Sequence, residues 1–568
     1  MSPAQGVLDP AAADLGQAKS ASAEVTQSLT GDEAVDRAIQ REREFMQNVK
    51  NYSPVVETYI QMLRPDAQLG TVPNDDQYFL GRVDFSSGVQ HKSFTADDKK
   101  KGFGHHLLDN LSGPFSIRFV PGGFAAMVML DANNFDRQHY SFEYVRREFL
   151  GDVRCLVYDV KPLQRTNEQR FEGRIWIEDQ DFNIVRFNGI YTPQPHRAHY
   201  LHFDSWRMNL QPGQWLPAYV YTEESDLKYS LMKQMRLKGQ TRFWGYNLSL
   251  PGHQQEMTSM TVEDPFAVRD HSESAQDLSP VQAQRVWERV AEDNVVERLY
   301  KSGLLAPTGE VDKVLLTVVN NLEITNQLDI QPEVRCRVLL TSSLESFTIG
   351  HTIVVSRGLL DVLPDEPSLA MVLAHELGHI ALGHRLDTKY AFDDRMLFPD
   401  EQSFQRIQLR RDEQEEAAAD EKGMALLANS PYKDKLNGAA QFLRALTAKS
   451  KDLPHLISAH LGNRLAKQEG SVRMAEVMQS ATSEAKTDEL AALPLGGRIK
   501  VDPWSDRIEM VKRAPVPLLS DREKLQFEVT PFMLYLTRQG SKQVAANAAE
   551  GANTAESNGP AVAVPAKQ

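Results

Sequence analysis

The chain has 568 residues, 41% of them hydrophobic and 25% charged, and a formal net charge of −14. That length exceeds one ordinary core and calls for two or three domains. The composition is that of a globular protein, and the acidic balance argues against a nucleic-acid backbone as partner. No apolar run approaches the roughly 20 residues that cross a bilayer, so no transmembrane segment is expected. Met1-Ser2-Pro3-Ala4-Gln5 lacks an apolar stretch behind it, so no signal peptide is expected within this sequence. The two cysteines, Cys155 and Cys336, fall in different expected domains. With no Cys-x-x-Cys, a thiolate zinc site is excluded.

Residues 1–30 are rich in Ala, Ser, Gln and Asp and read as a disordered leader. A charged helical pattern covers 32–50. From 52 to 250 short β-branched and aromatic runs alternate with turn residues. Phe171, Gly173, Ile175 and Ile177 share one face of a strand, Asp179-Gln180-Asp181 turns the chain, and Ile184-Val185-Arg186-Phe187 returns. Trp206–Leu210 and Trp215–Tyr221 form a second hairpin about Gln211-Pro212-Gly213-Gln214. A polar linker follows at 252–279. Ser279 and Pro280 supply the N-cap and first position of a helix over 280–302. Strands are predicted at Val334–Leu340 and Thr352–Val355, and helices at 366–385, 401–429, 432–449 and 455–480. Phe527–Val529 and Phe532–Leu536 are strand-like, and 540–568 is a low-complexity tail. These elements divide the chain into a leader (1–30), a β-rich domain (31–251), a linker (252–279), a mainly helical domain (280–485), a mixed segment packing on it (486–539) and the tail.

His375-Glu376-Leu377-Gly378-His379 lies within the predicted helix 366–385. Residues at i and i+4 are about 40° apart on a helix, so both imidazoles can reach one ion. The glutamate beside them can take a proton from an attacking water. Leu373, Leu377 and Ile380 occupy the other face, so the core is expected there, with the histidines pointing away from it. His384 sits about 180° from His375 on the same wheel. Leu382 and Arg385 stand where the extended three-histidine motif needs Gly and His. His384 is therefore expected to pack or cap the helix rather than bind the ion. A catalytic zinc takes three protein ligands and leaves one position open. Glu415-Glu416-Ala417-Ala418-Ala419-Asp420 offers carboxylates with small residues between them for close helix packing. Glu416 and Asp420 are i and i+4, so one could bind the ion while the other orients a ligand histidine, with Asp412, Glu413 and Glu415 as competing carboxylates.

Ala374–His379, Glu416-x-x-x-Asp420 and Gly423, with Ile353–Leu360 upstream, resemble peptidase family M48 over about residues 280–480. That family includes HtpX, the Ste-type CAAX prenyl proteases and BepA-like periplasmic proteins. The resemblance implies a zincin-type domain with one Zn²⁺ held by His375, His379 and Glu416, with Asp420 supporting a ligand. It also implies Glu376 as the catalytic base, and His460 and Arg464 near the site, His460 aiding the oxyanion. An edge strand over about Thr348–Val355 would pair with an extended substrate. Gly173–Glu178 and Ile184–Arg186 are fainter in their similarity to the half-barrels of LolA- and LolB-like lipoprotein-sorting proteins.

The expected fold is therefore α+β, an antiparallel half-barrel followed by a helical metallopeptidase domain with a small sheet. The expected function is zinc-dependent endopeptidase activity of gluzincin type on peptides or unfolded proteins, in periplasmic or cell-envelope quality control. The β domain would offer a surface for an envelope protein or lipoprotein. The alternatives are a catalytically latent chaperone or assembly factor, and a lipid- or lipoprotein-binding envelope protein. The insertion 387–412 would serve as a lid.

Overall fold

The computed structural model describes residues 30–66, 70–86, 89–94, 121–131, 134–164, 169–193, 201–224, 236–246, 280–384, 409–457, 461–466, 472–480, 499–502, 507–510, 528–531 and 533–539. The leader, the linker, most of the 387–412 insertion and the tail lie outside them. The fold is α+β, as expected.

Helix α1 (Gly31–Asn48) opens on a capping box: Glu33 N–H donates to Thr30 Oγ1, and Thr30 N–H donates to the Glu33 carboxylate. Ten strands then build one open antiparallel sheet. They are β1 (Val55–Asp66), β2 (Gly70–Asp84), β3 (Gln90–Ser93), β4 (Tyr140–Leu150), β5 (Val153–Pro162), β6 (Arg170–Glu178), β7 (Ile184–Thr192), β8 (Leu201–Gln211), β9 (Gln214–Glu224) and β10 (Arg236–Trp244). Their order is β3-β2-β1-β10-β9-β8-β7-β6-β5-β4, a meander whose last strand returns to the first. Both predicted hairpins are present, the β8–β9 turn carried by Gly213 at φ 71°.

Side chains alternate across each strand, so one sheet serves two cores. Val56 and Ile60 of β1, with Phe171, Ile175 and Phe203, pack against Val35, Ala38 and Phe45 of α1 and against Phe124 of α2 (Pro121–Ala125). Val55 and Tyr59 of β1, with Trp176, Trp206 and Tyr221, face the other way and join the core of the helical half. Cys155 and Cys336 are buried free thiols, and burial pushes the Cys336 thiol up to about 12.

The helical half begins with α3 (Pro280–Lys301) and α4 (Glu310–Thr325). A small sheet follows, ordered β11-β13-β12-β14, from β11 (Arg335–Leu339), β12 (Glu345–Ile349), β13 (Thr352–Ser356) and β14 (Asn463–Arg464). The single edge strand expected over Thr348–Val355 is in fact a hairpin. Gly350, at φ 55°, turns the chain between β12 and β13, a conformation that favours glycine. Next come α5 (Arg357–Val362), α6 (Glu366–Ala381), α7 (Glu413–Ala428), α8 (Asn437–Lys449), α9 (Pro454–Ile457) and α10 (Val477–Ser480). Of the helix expected over 401–429, Glu413–Ala428 is helical and 409–412 is not, because Asp412 caps α7 by accepting from the backbone of Gln414 and Glu415; 401–408 lie outside the described residues. Among the described residues of the helix expected over 455–480, α9, β14 and α10 stand instead, and Glu345 accepts from the backbone N–H groups of Leu461 and Gly462, holding that stretch on β12.

Buried carboxylates of the large sheet grip the helical half. Glu57 accepts from Ser342 N at 2.6 Å and Ser342 Oγ at 2.7 Å, just before β12. Asp76 accepts from the N–H groups of His455 and Leu456, at 2.9 and 2.8 Å, at the start of α9. Arg82 Nη2 donates to Ser302 O. Residues 528–539 also contact the large sheet: Val529 N–H donates to Gln61, Asp152 N–H to Leu536 O, and Arg538 pairs with Glu178. Packing on the helical half was expected for this stretch. Val529 and Leu536 join the core that the sheet shares with the helical half, and the hydrogen-bonding partners Gln61, Glu178 and Asn209 lie on the sheet. Its strand-like runs form no ladder among the described residues, and Phe527 and Phe532 lie outside them. No described helix is long and apolar enough to cross a membrane.

Candidate metal centre

Asp365 caps α6 by accepting from Ser368 N–H, and Pro367 sits in the first turn. The helix is buried on all sides from Ala370 to Ile380, with His375, Glu376 and His379 each 1% exposed. The histidines do turn away from Leu373 and Leu377, but the side they turn to is covered by α7. Two glycines let the helices approach: a Cβ on Gly378 would lie 2.8 Å from Ala419 O, and one on Gly423 would lie 3.1 Å from Ala374 O. That contact brings Glu416 and Asp420 over the histidine pair.

His375 Nε2 and His379 Nε2 are 3.1 Å apart. Glu416 Oε1 lies 3.2 Å from His379 Nε2, and its Oε2 lies 3.6 Å from His375 Nε2. Zinc–ligand bonds of about 2.0–2.1 Å in a tetrahedron place donor atoms roughly 3.3 Å apart, so this donor set fits one such ion. Among the described residues these three form a group able to hold a metal, with all ligand atoms within 4.8 Å of one another. Asp412, Glu413 and Glu415 are not in it.

The outward nitrogens are also engaged. His375 Nδ1 meets Asp420 Oδ1 at 2.7 Å, and His379 Nδ1 meets His384 Nδ1 at 2.9 Å. Burial and the neighbouring His379 lower the pKa of His384. Burial works to raise the pKa of Glu416, but the Arg473 charge, a hydrogen bond from His379 and the charges of His375 and His379 hold it well below the usual carboxylate range.

Two contributors have no signature in the motif. Ser346 Oγ donates to Glu376 Oε1 at 2.7 Å, and Arg473 Nη1 reaches the same oxygen at 3.1 Å. Arg473 Nε also pairs with Glu416 Oε2 at 2.8 Å. Ser346 could have been found from its place two residues into the strand before the hairpin. Arg473 could not, because its segment was expected to be helical. His460 lies outside the described residues. Arg464 contributes its backbone to β14 opposite Glu345, and its side chain is not among those described.

A histidine pair on α6, faced by Glu416 on α7, forms a donor set suited to one metal ion, with the buried Glu376 beside it on α6. Residues 306–398 match the model of Peptidase family M48, and α6 lies inside the match. That match supports a peptidase, a hydrolase acting on peptides. Glu416 and Asp420 lie beyond the matched residues. No curated protein matches the chain. A solved LolA superfamily protein from Nitrosomonas europaea is similar at 11% identity over 40% of this chain and 97% of its own, with a TM-score of 0.20, too low to carry an argument.

Proposed function

We propose that the chain is a zinc-dependent endopeptidase of cell-envelope protein quality control, with His375, His379 and Glu416 as the zinc ligands. The observation that carries this reading is the set of three donors spaced as a tetrahedral ion requires. A bound zinc polarises the scissile carbonyl and lowers the pKa of a water towards neutrality. Glu376 takes a proton from the attacking water and passes it to the leaving amine. Ser346 and Arg473 hold its carboxylate in place for that transfer. Asp420 fixes the His375 ring. His460 is assigned to the developing oxyanion on the resemblance alone, as is the periplasmic setting.

An extended peptide is taken to pair with β12. β13 lies on one side of that strand, and β14 covers Glu345 and Ser346 on the other. Among the described residues no strand pairs with Phe347–Ile349 on that second side. The reading as a latent chaperone draws on the same geometry, since β14 takes part of the edge and Arg473 engages Glu376. The lipid-carrier reading gains nothing from the described residues, because both faces of the large sheet are packed by the chain's own side chains.

Casein hydrolysis tests the choice. The endopeptidase reading predicts cleavage that a zinc chelator abolishes and added zinc restores. Cleavage indifferent to the chelator would overturn it, and no cleavage by zinc-loaded protein would favour the latent chaperone.

A further inference from the structure

We propose that His384 is a positioning residue of the metal centre, accepting the Nδ1 proton of His379 and so fixing that ring with Nε2 towards the ion. The inference rests on the zinc-ligand reading above and extends it to a residue outside the motif.

A neutral imidazole carries one proton on two nitrogens. A histidine that gives Nε2 to a cation keeps its proton on Nδ1, and that N–H needs an acceptor to set the ring's orientation. For His375 the acceptor is Asp420 Oδ1 at 2.7 Å. For His379 the atom in the equivalent place is His384 Nδ1, at 2.9 Å. With the His379 proton on Nδ1, His384 must present a bare Nδ1 and carry its own proton on Nε2.

A straight helix would carry His384 to the wrong side, about 180° from His375. The backbone is not straight there. Helix α6 ends at Ala381, and Gly383 adopts φ 71°. His384 N–H donates to His379 O at 3.0 Å, closing the six-to-one bond of a Schellman turn. This turn folds residue 384 back over residue 379 and sets the two rings 5.1 Å apart. The backbone bond alone would cap the helix with any side chain at 384. The ring contact is additional, and it reaches the one nitrogen of His379 that faces away from the ligand cluster.

The choice of a histidine has an electrostatic consequence. Glu376, Glu416 and Asp420 already bring three carboxylates to the centre, against Arg473. A neutral acceptor orients His379 without adding a fourth.

The test is the zinc dissociation constant of the full chain, measured by competition with a chromophoric chelator, for the parent, His384→Leu and His384→Asn. Asn offers Oδ1 close to where Nδ1 stood, whereas Leu fills space without an acceptor. The expected result is affinity about 10–100-fold weaker for His384→Leu and largely recovered in His384→Asn. The melting temperatures of the metal-free forms should stay together, which a purely structural role for the ring would not give. Cobalt-loaded His384→Leu should also show an altered visible spectrum. Equal zinc affinity in parent and His384→Leu, or an Asn variant as weak as Leu, would overturn the assignment while leaving the ligand set standing. A parent chain that binds no zinc would overturn both.

Discussion

Replacing Glu376 with Gln should lower casein hydrolysis by about 10²–10⁴-fold, the usual share of general acid–base catalysis, with metal content unchanged. The substitution is close to isosteric, and Gln keeps an oxygen to accept from Ser346 and Arg473, the two donors seen on Glu376 Oε1. What it loses is the ability to take a proton. Glu376 is 1% exposed and is not in the metal-holding group, so the metal should stay. Hydrolysis by the variant at the parent's rate would remove Glu376 from the mechanism.

Glu416→Ala should have the largest effect on the metal itself. It removes one of three donors and leaves Arg473 paired with Glu376 alone. Alanine is a strong helix former, so α7 should persist. Zinc affinity should fall by more than the roughly 10–100-fold expected for losing an outer partner, and hydrolysis should vanish unless zinc is in large excess. Asp420→Ala is the control for that smaller loss, because Asp420 touches the outward nitrogen of His375 and not the cluster. A zinc titration of the two variants separates the roles. Tight zinc binding by Glu416→Ala would mean that another carboxylate is the ligand.

The sequence reveals this centre unevenly, and the reasons are physical. Helical periodicity places His375 and His379 on one face, and the structure keeps them there. The alanines between Glu416 and Asp420 announce close helix packing, which Gly378 and Gly423 complete. Periodicity keeps His384 out of the ligand set, as the structure does, but it does not foretell the ring's contact with His379, because one glycine with positive φ ends the helix and reverses the chain. It misleads over 455–480, where apolar spacing suits a helix but Glu345, buried on β12, binds the backbone of Leu461 and Gly462. Arg473 therefore arrives at the centre by a path that no local pattern describes. The large sheet was easier to foresee, since alternation in β6 to β9 is strong and the turns carry their usual residues. Its grip on the helical half through Glu57 and Asp76 was not, because a buried carboxylate in a strand looks like any exposed one in the sequence.

The most direct measurement is the metal content of the purified chain, compared with a His375→Ala/His379→Ala double variant. The account predicts one zinc per parent chain and none in the folded double variant. A folded parent chain that takes up no zinc, or a double variant that holds as much as the parent, would contradict it.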